Sequence, residues 1–134
     1  MSFQLTPTSS IFVASYNSAW DDGQFLDYNN LQIDPASAIL SYGLSVFDGL
    51  KAHRTQNGSI ALFRADDHAR RLAKSAEALL MPSFPINKLV EILHELVRHN
   101  IDHLPTHGDG SLYIRPQLFA DEPCLGIKPC TQFK

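Results

Sequence analysis

Polar side chains able to grip an anion recur at every second position of GSLYIRPQLF. Tyr113, Arg115 and Gln117 alternate there with Leu112, Ile114 and Leu118. Strand geometry sends the two sets to opposite faces. A guanidinium offers paired N–H donors in a fixed fork, and a neighbouring phenol adds another, so Tyr113 and Arg115 together suit a carboxylate. A one-sided antiparallel strand with a solvated face has the same pattern, and the residues alone leave both readings open. Pro116 has no N–H to give to a ladder, which predicts an edge position or a local bend.

A second group of basic residues lies in VFDGLKAHRTQNGSIALFR. Asn57-Gly58 between two β-prone runs signals a hairpin, because a two-residue type I′ loop needs positive φ at both central positions. That loop pairs Gln56 with Ser59, Thr55 with Ile60 and Lys51 with Arg64. Phe47, Gly49 and Lys51 would then share a face with Leu62 and Arg64. Facing cations repel by a few tenths to about 1 kcal/mol, which an anion would relieve. Arg64 also precedes a helix, where free N–H groups favour a phosphate. The plainer alternative is that Lys51 and Arg64 pair at the surface with Asp48, Asp66 or Asp67.

These groups need a scaffold, and its elements are legible. IFVASY and GQFLDY are β-like, and residues 36–45 predict a helical turn ending near Gly43. Residues 66–80 carry Ala69, Leu72, Ala73, Ala76, Leu79 and Leu80 at helical spacing, with Asp66 and Asp67 in the first turn and Met81-Pro82 as the stop. Residues 87–104 carry a second stripe, Leu89, Val90, Leu93, Leu96, Val97 and Ile101, stopped by Pro105. EPCLGIKP reads as a loop and TQFK as the start of a strand. The order predicts an α+β fold: a largely antiparallel sheet with two amphipathic helices packed on it.

Composition narrows the classes. The chain has 134 residues, enough for one core, and 44% of them are hydrophobic, so it is not disordered by composition. A net charge of −3 argues against nucleic acid and anionic membrane as partners. Cys124 and Cys130 are too few for a disulfide scaffold and lack the companions of a zinc site, so no metal is expected. His94, His99 and His103 are spaced too loosely for a ligand set, and Trp20 reads as local packing. Without a basic-then-apolar leader or a run of 18 apolar residues, the default is a soluble cytoplasmic protein.

YGLSVFDGLKA, LFRADDHARRLAKSAEALLMP and SLYIRPQLF occur in that order within residues 41–130. This region resembles the N-terminal part of branched-chain amino acid aminotransferases, class IV (fold type IV) pyridoxal-phosphate enzymes. The resemblance implies a small α/β domain, 1–134, whose larger C-terminal cofactor domain is absent. It places Arg64 on the cofactor phosphate and Phe47 on the wall of the substrate side-chain pocket. Tyr113 and Arg115 fall on the pair defining the substrate site, with the arginine on the distal carboxylate of glutamate or 2-oxoglutarate. Tyr42 falls on a tyrosine reaching the neighbouring subunit's site, which implies a homodimer or higher oligomer. Small amino acids and 2-oxo acids are the implied partners. Asp48 stands where glutamate is usual and His53 where an aromatic is usual.

Members of that family are well over twice this length, and their Schiff-base lysine lies in the C-terminal domain. None of Lys51, Lys74, Lys88, Lys128 and Lys134 has that setting. The expectation is that this chain alone neither transaminates nor stably holds pyridoxal 5'-phosphate. The alternative is a stand-alone, non-enzymatic module from a truncated gene that self-associates or binds an anion. A D-amino acid aminotransferase or aminodeoxychorismate lyase fits SLYIRP less well.

Overall fold

The computed structural model describes residues 5–134. Along the chain run β1 (Ser10–Val13), β2 (Tyr16–Asn17), β3 (Gln24–Asp27), α1 (Ala38–Tyr42), β4 (Ser45–Phe47), β5 (Leu50–Arg54) and β6 (Ile60–Leu62). Then come α2 (Ala65–Ala78), α3 (Ile86–His99), a 3-10 turn (Ile101–His103), β7 (Leu112–Ile114), β8 (Gln117–Phe119) and β9 (Gln132–Phe133). The strand pairs are antiparallel: β1 with β3, β2 with β9, β4 with β8, and β5 with both β6 and β7. With α2 and α3 packed against them, this is the expected α+β architecture.

The centre is one ribbon in two pieces. Phe47 pairs with Gln117, and Leu50 pairs with Ile114. Stepping inward from both pairs sets Asp48 opposite Pro116 and Gly49 opposite Arg115, so the register runs unbroken through the gap. The gap has a local cause. Asp48 N–H donates to the Pro116 carbonyl at 3.0 Å, but Pro116 has no N–H to return the second bond of the pair. The proline thus weakens the ladder at one rung and leaves its alignment intact.

The ribbon's hidden face feeds two apolar clusters. On the β4–β8 half, Val46 and Leu118 pack with Ala38, Leu72, Ala76 and Phe133. On the β5–β7 half, Leu50, Ala52, Leu112 and Ile114 pack with Leu93 and Val97 of α3. Burying a leucine- or valine-sized side chain contributes about 1.5–3 kcal/mol, so these two faces hold the ribbon to the helices. Helix α2 buries chiefly alanines, Ala65, Ala69, Ala73 and Ala76, beside Leu72, which lets its backbone approach the sheet closely.

Helix ends depart slightly from expectation. Helix α2 stops at Ala78, and Leu80 takes a left-handed φ of 56°. Met81 N–H reaches the Ala76 carbonyl at 2.9 Å and Leu80 N–H the Glu77 carbonyl at 3.0 Å, the paired bonds of a Schellman closure. Helix α3 ends at His99, five residues short of the expected Leu104. Asn100 is the reason. Its buried amide donates to the Leu96 carbonyl at 2.9 Å and the Ser10 carbonyl at 3.0 Å, and accepts from Ser9 N–H and Ser10 N–H. Such a side chain competes with the helix ladder and here fastens β1 to the end of α3.

Candidate functional site

The in-register ribbon puts Phe47, Gly49, Lys51, Tyr113, Arg115 and Gln117 on one face, opposite the apolar clusters. The Arg115 guanidinium lies 4.7 Å from the Phe47 ring centre and 5.4 Å from that of Tyr113. Its Nη2 donates to the Tyr113 hydroxyl at 3.2 Å. Each cation–ring contact at an exposed site contributes about 0.5–1 kcal/mol. Phe47 is 59% exposed and Tyr113 40%, so the group is presented outward. A cavity of about 990 Å³ wraps both sides of β7–β8: Leu112, Ile114 and Leu118 line it together with β1 and α3, and Lys51, Tyr113, Arg115 and Gln117 line it from the other face.

Asp48 points the other way, into the seam between the two apolar clusters, with its side chain 1% exposed. Burying a carboxylate requires compensation, and Asp48 has four donors. Arg71 clasps both oxygens, Nε to Oδ2 and Nη2 to Oδ1, each at 2.6 Å. His68 Nδ1 lies 2.8 Å from Oδ1, and Gly49 N–H donates to Oδ1 at 2.6 Å. Burial alone would raise the pKa, but the bonds from Arg71, His68 and Gly49 outweigh it and hold Asp48 below the ordinary carboxylate range. The same carboxylate raises the pKa of Arg71.

The structure corrects the hairpin register. Arg54 pairs with Ile60 and Ala52 with Leu62, one residue off the two-residue-loop alignment. Thr55 N–H bonds the Ser59 carbonyl at 2.8 Å, and Gly58 alone supplies positive φ, at 84°. The loop is therefore three residues long, with glycine in the left-handed position of a bulge. Lys51 lies across from Tyr113, and Leu62 joins the buried side. Arg64 leaves the strand altogether. It caps α2 with φ of 53°, and its Nε donates to Asp67 at 2.5 Å. The surface-pairing alternative thus holds for Arg64, and the Lys51–Arg64 cation pair does not form.

The structure therefore gathers Phe47, Tyr113 and Arg115, and keeps Arg64 and Tyr42 outside that contact. Tyr42 closes α1 and is 47% exposed. Asp48, His68 and Arg71 form a polar centre that the sequence reading did not assemble. A signal existed: alternation puts Asp48 on the hidden face between Val46 and Leu50, and such a carboxylate demands a cation. His68 and Arg71, three apart on a helix, offered one. Among the described residues no group of His, Cys, Asp and Glu is arranged to hold a metal, and no helix is long and apolar enough to cross a membrane.

The family profile described as amino-transferase class IV matches residues 45–132, which include the whole ribbon. The chain belongs to this family. The chain is similar to branched-chain-amino-acid aminotransferase 5, chloroplastic, of Arabidopsis thaliana, 38% identical over 98% of this chain and 32% of that protein. It is also similar to the branched-chain-amino-acid aminotransferase of Mycobacterium tuberculosis, 40% identical over 86% of this chain and 32% of that protein. The chain thus spans about a third of the length of these relatives. Its fold superposes on the Escherichia coli branched-chain amino acid aminotransferase with a TM-score of 0.70 and 26% identity, over 92% of this chain and 38% of that one. A second branched-chain amino acid aminotransferase, solved in complex with N-(5'-phosphopyridoxyl)-L-glutamate, matches with a TM-score of 0.69 and 27% identity, over 92% of this chain and 39% of that one.

Proposed function

We infer that these residues are the substrate-recognition domain, residues 1–134, of a pyridoxal-phosphate-dependent branched-chain amino acid aminotransferase. One observation carries the reading: Arg115 lies over the rings of both Phe47 and Tyr113 on an exposed face built by an unbroken register. The apolar ring surfaces suit a branched aliphatic side chain. The Arg115 fork suits the distal carboxylate of glutamate or 2-oxoglutarate in the alternate half-reaction. One face then serves both substrates, because the guanidinium can turn from its rings to an incoming carboxylate.

The cofactor's phosphate fits at one point. Arg64 is exposed at the start of α2, with Asp67 as its ion partner, and its guanidinium would exchange that partner for a phosphate. Bound pyridoxal phosphate supplies the electron sink for moving an amino group. The described residues contribute orientation and charge recognition; no lysine here stands on the Phe47–Arg115 face except Lys51. The 134 residues by themselves are accordingly proposed not to transaminate. Mixing the purified chain with pyridoxal phosphate tests this: no borohydride-sensitive band above 400 nm mapping to one lysine is expected, and a specific one would overturn it.

In a complete aminotransferase carrying these residues, Arg115→Ala should raise KM for glutamate and 2-oxoglutarate about 100-fold, and for leucine a few-fold at most. Equal losses for all substrates would sink the assignment. Tyr42 and the exposed Leu125 and Ile127 are proposed to face a second subunit. Sedimentation should show a dimer or larger species.

A further inference from the structure

Asp48 and Gly49 act together at the weakened rung of the ribbon. We propose that this pair positions Tyr113 and Arg115, Asp48 by holding the backbone and Gly49 by making the space. The inference rests on the reading of the Phe47–Arg115 face as a substrate site and adds the residues that set its geometry.

At the level where Arg115 leaves the sheet, the ladder keeps one backbone bond, from Asp48 N–H to Pro116. The remaining restraint comes through the Asp48 carboxylate, bound to Arg71 and His68 on α2 and to the N–H of Gly49. Helix α2 thereby fixes the backbone of Gly49, which lies opposite Arg115. Gly49 in turn sits beneath the tyrosine. A Cβ at this position would lie 2.2 Å from the Tyr113 hydroxyl oxygen and 2.9 Å from its Cζ. Its φ lies outside the left-handed range, so space rather than backbone conformation requires glycine here. The phenol occupying that space meets Arg115 Nη2 at 3.2 Å. A continuous path of contacts therefore runs from α2 through Asp48, Gly49 and Tyr113 to Arg115. Asp48 is buried on the far side of the sheet and touches no ligand; both members of the pair are positioning residues.

Gly49→Ala is the sharpest probe, because the atoms a methyl group would meet belong to the Tyr113 side chain and the core is left unaltered. The 134-residue chain is enough for the first reading. Stacking over two rings shields the Arg115 side-chain protons, which NMR reports directly. Both Gly49→Ala and Asp48→Asn should move those resonances towards their unstacked values. Val97→Ala, in the apolar cluster behind the ribbon, should lower stability and leave them in place. Unchanged Arg115 shifts in Gly49→Ala, or equal loss in Val97→Ala, would overturn the proposal.

The second reading uses a complete aminotransferase carrying these residues. There Gly49→Ala should raise KM for 2-oxoglutarate about tenfold, with kcat changed less than about twofold. Lost shielding with that KM split supports both ideas. Lost shielding without any change in KM upholds the positioning role and overturns the substrate-site reading.

Discussion

Two carboxylates, Asp48 and Glu122, are buried and bound by a cation, yet they organise the chain at different ranges. Asp48 draws His68 and Arg71 from 20 and 23 residues away and joins a strand to a helix. Glu122 is held by Lys128 and Thr131, six and nine residues on, and closes the loop between β8 and β9 on itself. Both have lowered pKa values. Asp48 works against burial, its largest influence, whereas Glu122 is brought to about 2 chiefly by its bond from Lys128. The difference teaches that a paired carboxylate belongs to the global fold only when its partners come from another element.

Removing each carboxylate should separate these roles. Asp48→Ala strips the partner from Arg71 and His68 and should cost about 2–3 kcal/mol in global stability by urea unfolding, discounted for the exposure of Arg71. A loss under about 0.5 kcal/mol would place Asp48 with the local group. Acid should weaken both carboxylates. Each has its folded pKa below its unfolded one, so its contribution is complete above the unfolded value and fades as pH falls. Glu122 should begin to lose its contribution below its ordinary 4.5 and finish near 2. Asp48 should begin only below 3.8. Stability measured against pH in Glu122→Gln should lack the first of these two losses.

Glu122→Gln should lower the global midpoint less than Asp48→Ala does, and should speed amide exchange at Thr131, whose N–H donates to the carboxylate, by at least about tenfold. A large global loss would erase the distinction. Smallest of all, Asp67→Ala removes the exposed partner of Arg64 and should leave the unfolding midpoint unchanged within error.

The fold was legible where a physical constraint was local. The two amphipathic stripes predicted α2 and the start of α3 to within a few residues, and α1 ends at Gly43, as expected, with the glycine in the left-handed conformation. Trp20 is a packing residue, as read, but only partly a local one: its ring lies 5.3 Å from Tyr16 and also 4.9 Å from Phe84, and its Nε1 donates to the distant Ser83 carbonyl at 3.0 Å. Alternation alone put Phe47 with Lys51, and Tyr113 with Arg115. What it could not supply was the pairing that unites the two sets on one surface.

Errors arose where one residue decides between near-equivalent local solutions. Asn57-Gly58 admits a two-residue loop or a three-residue loop with a bulge, and choosing wrongly moved every pairing by one. Residues 87–104 carried an unbroken apolar stripe past Asn100, because a stripe records burial and is silent about a side chain that competes for the ladder. The Asp48 centre needed a helix brought against a residue 20 to 23 positions away, which spacing along the chain does not encode.

The ribbon's preserved register has a consequence for how such a chain can change length. Between residues 47 and 52, or between 112 and 118, insertion or deletion of a single residue would turn the Phe47–Arg115 face inward and the greasy face out. Adding or removing two would restore the parity while shifting the partners. The turn at 55–59 and the segment at 105–110 lie outside the paired stretches and impose no such arithmetic. Natural and engineered length variants should therefore gather in those connections, while the paired segments change by substitution.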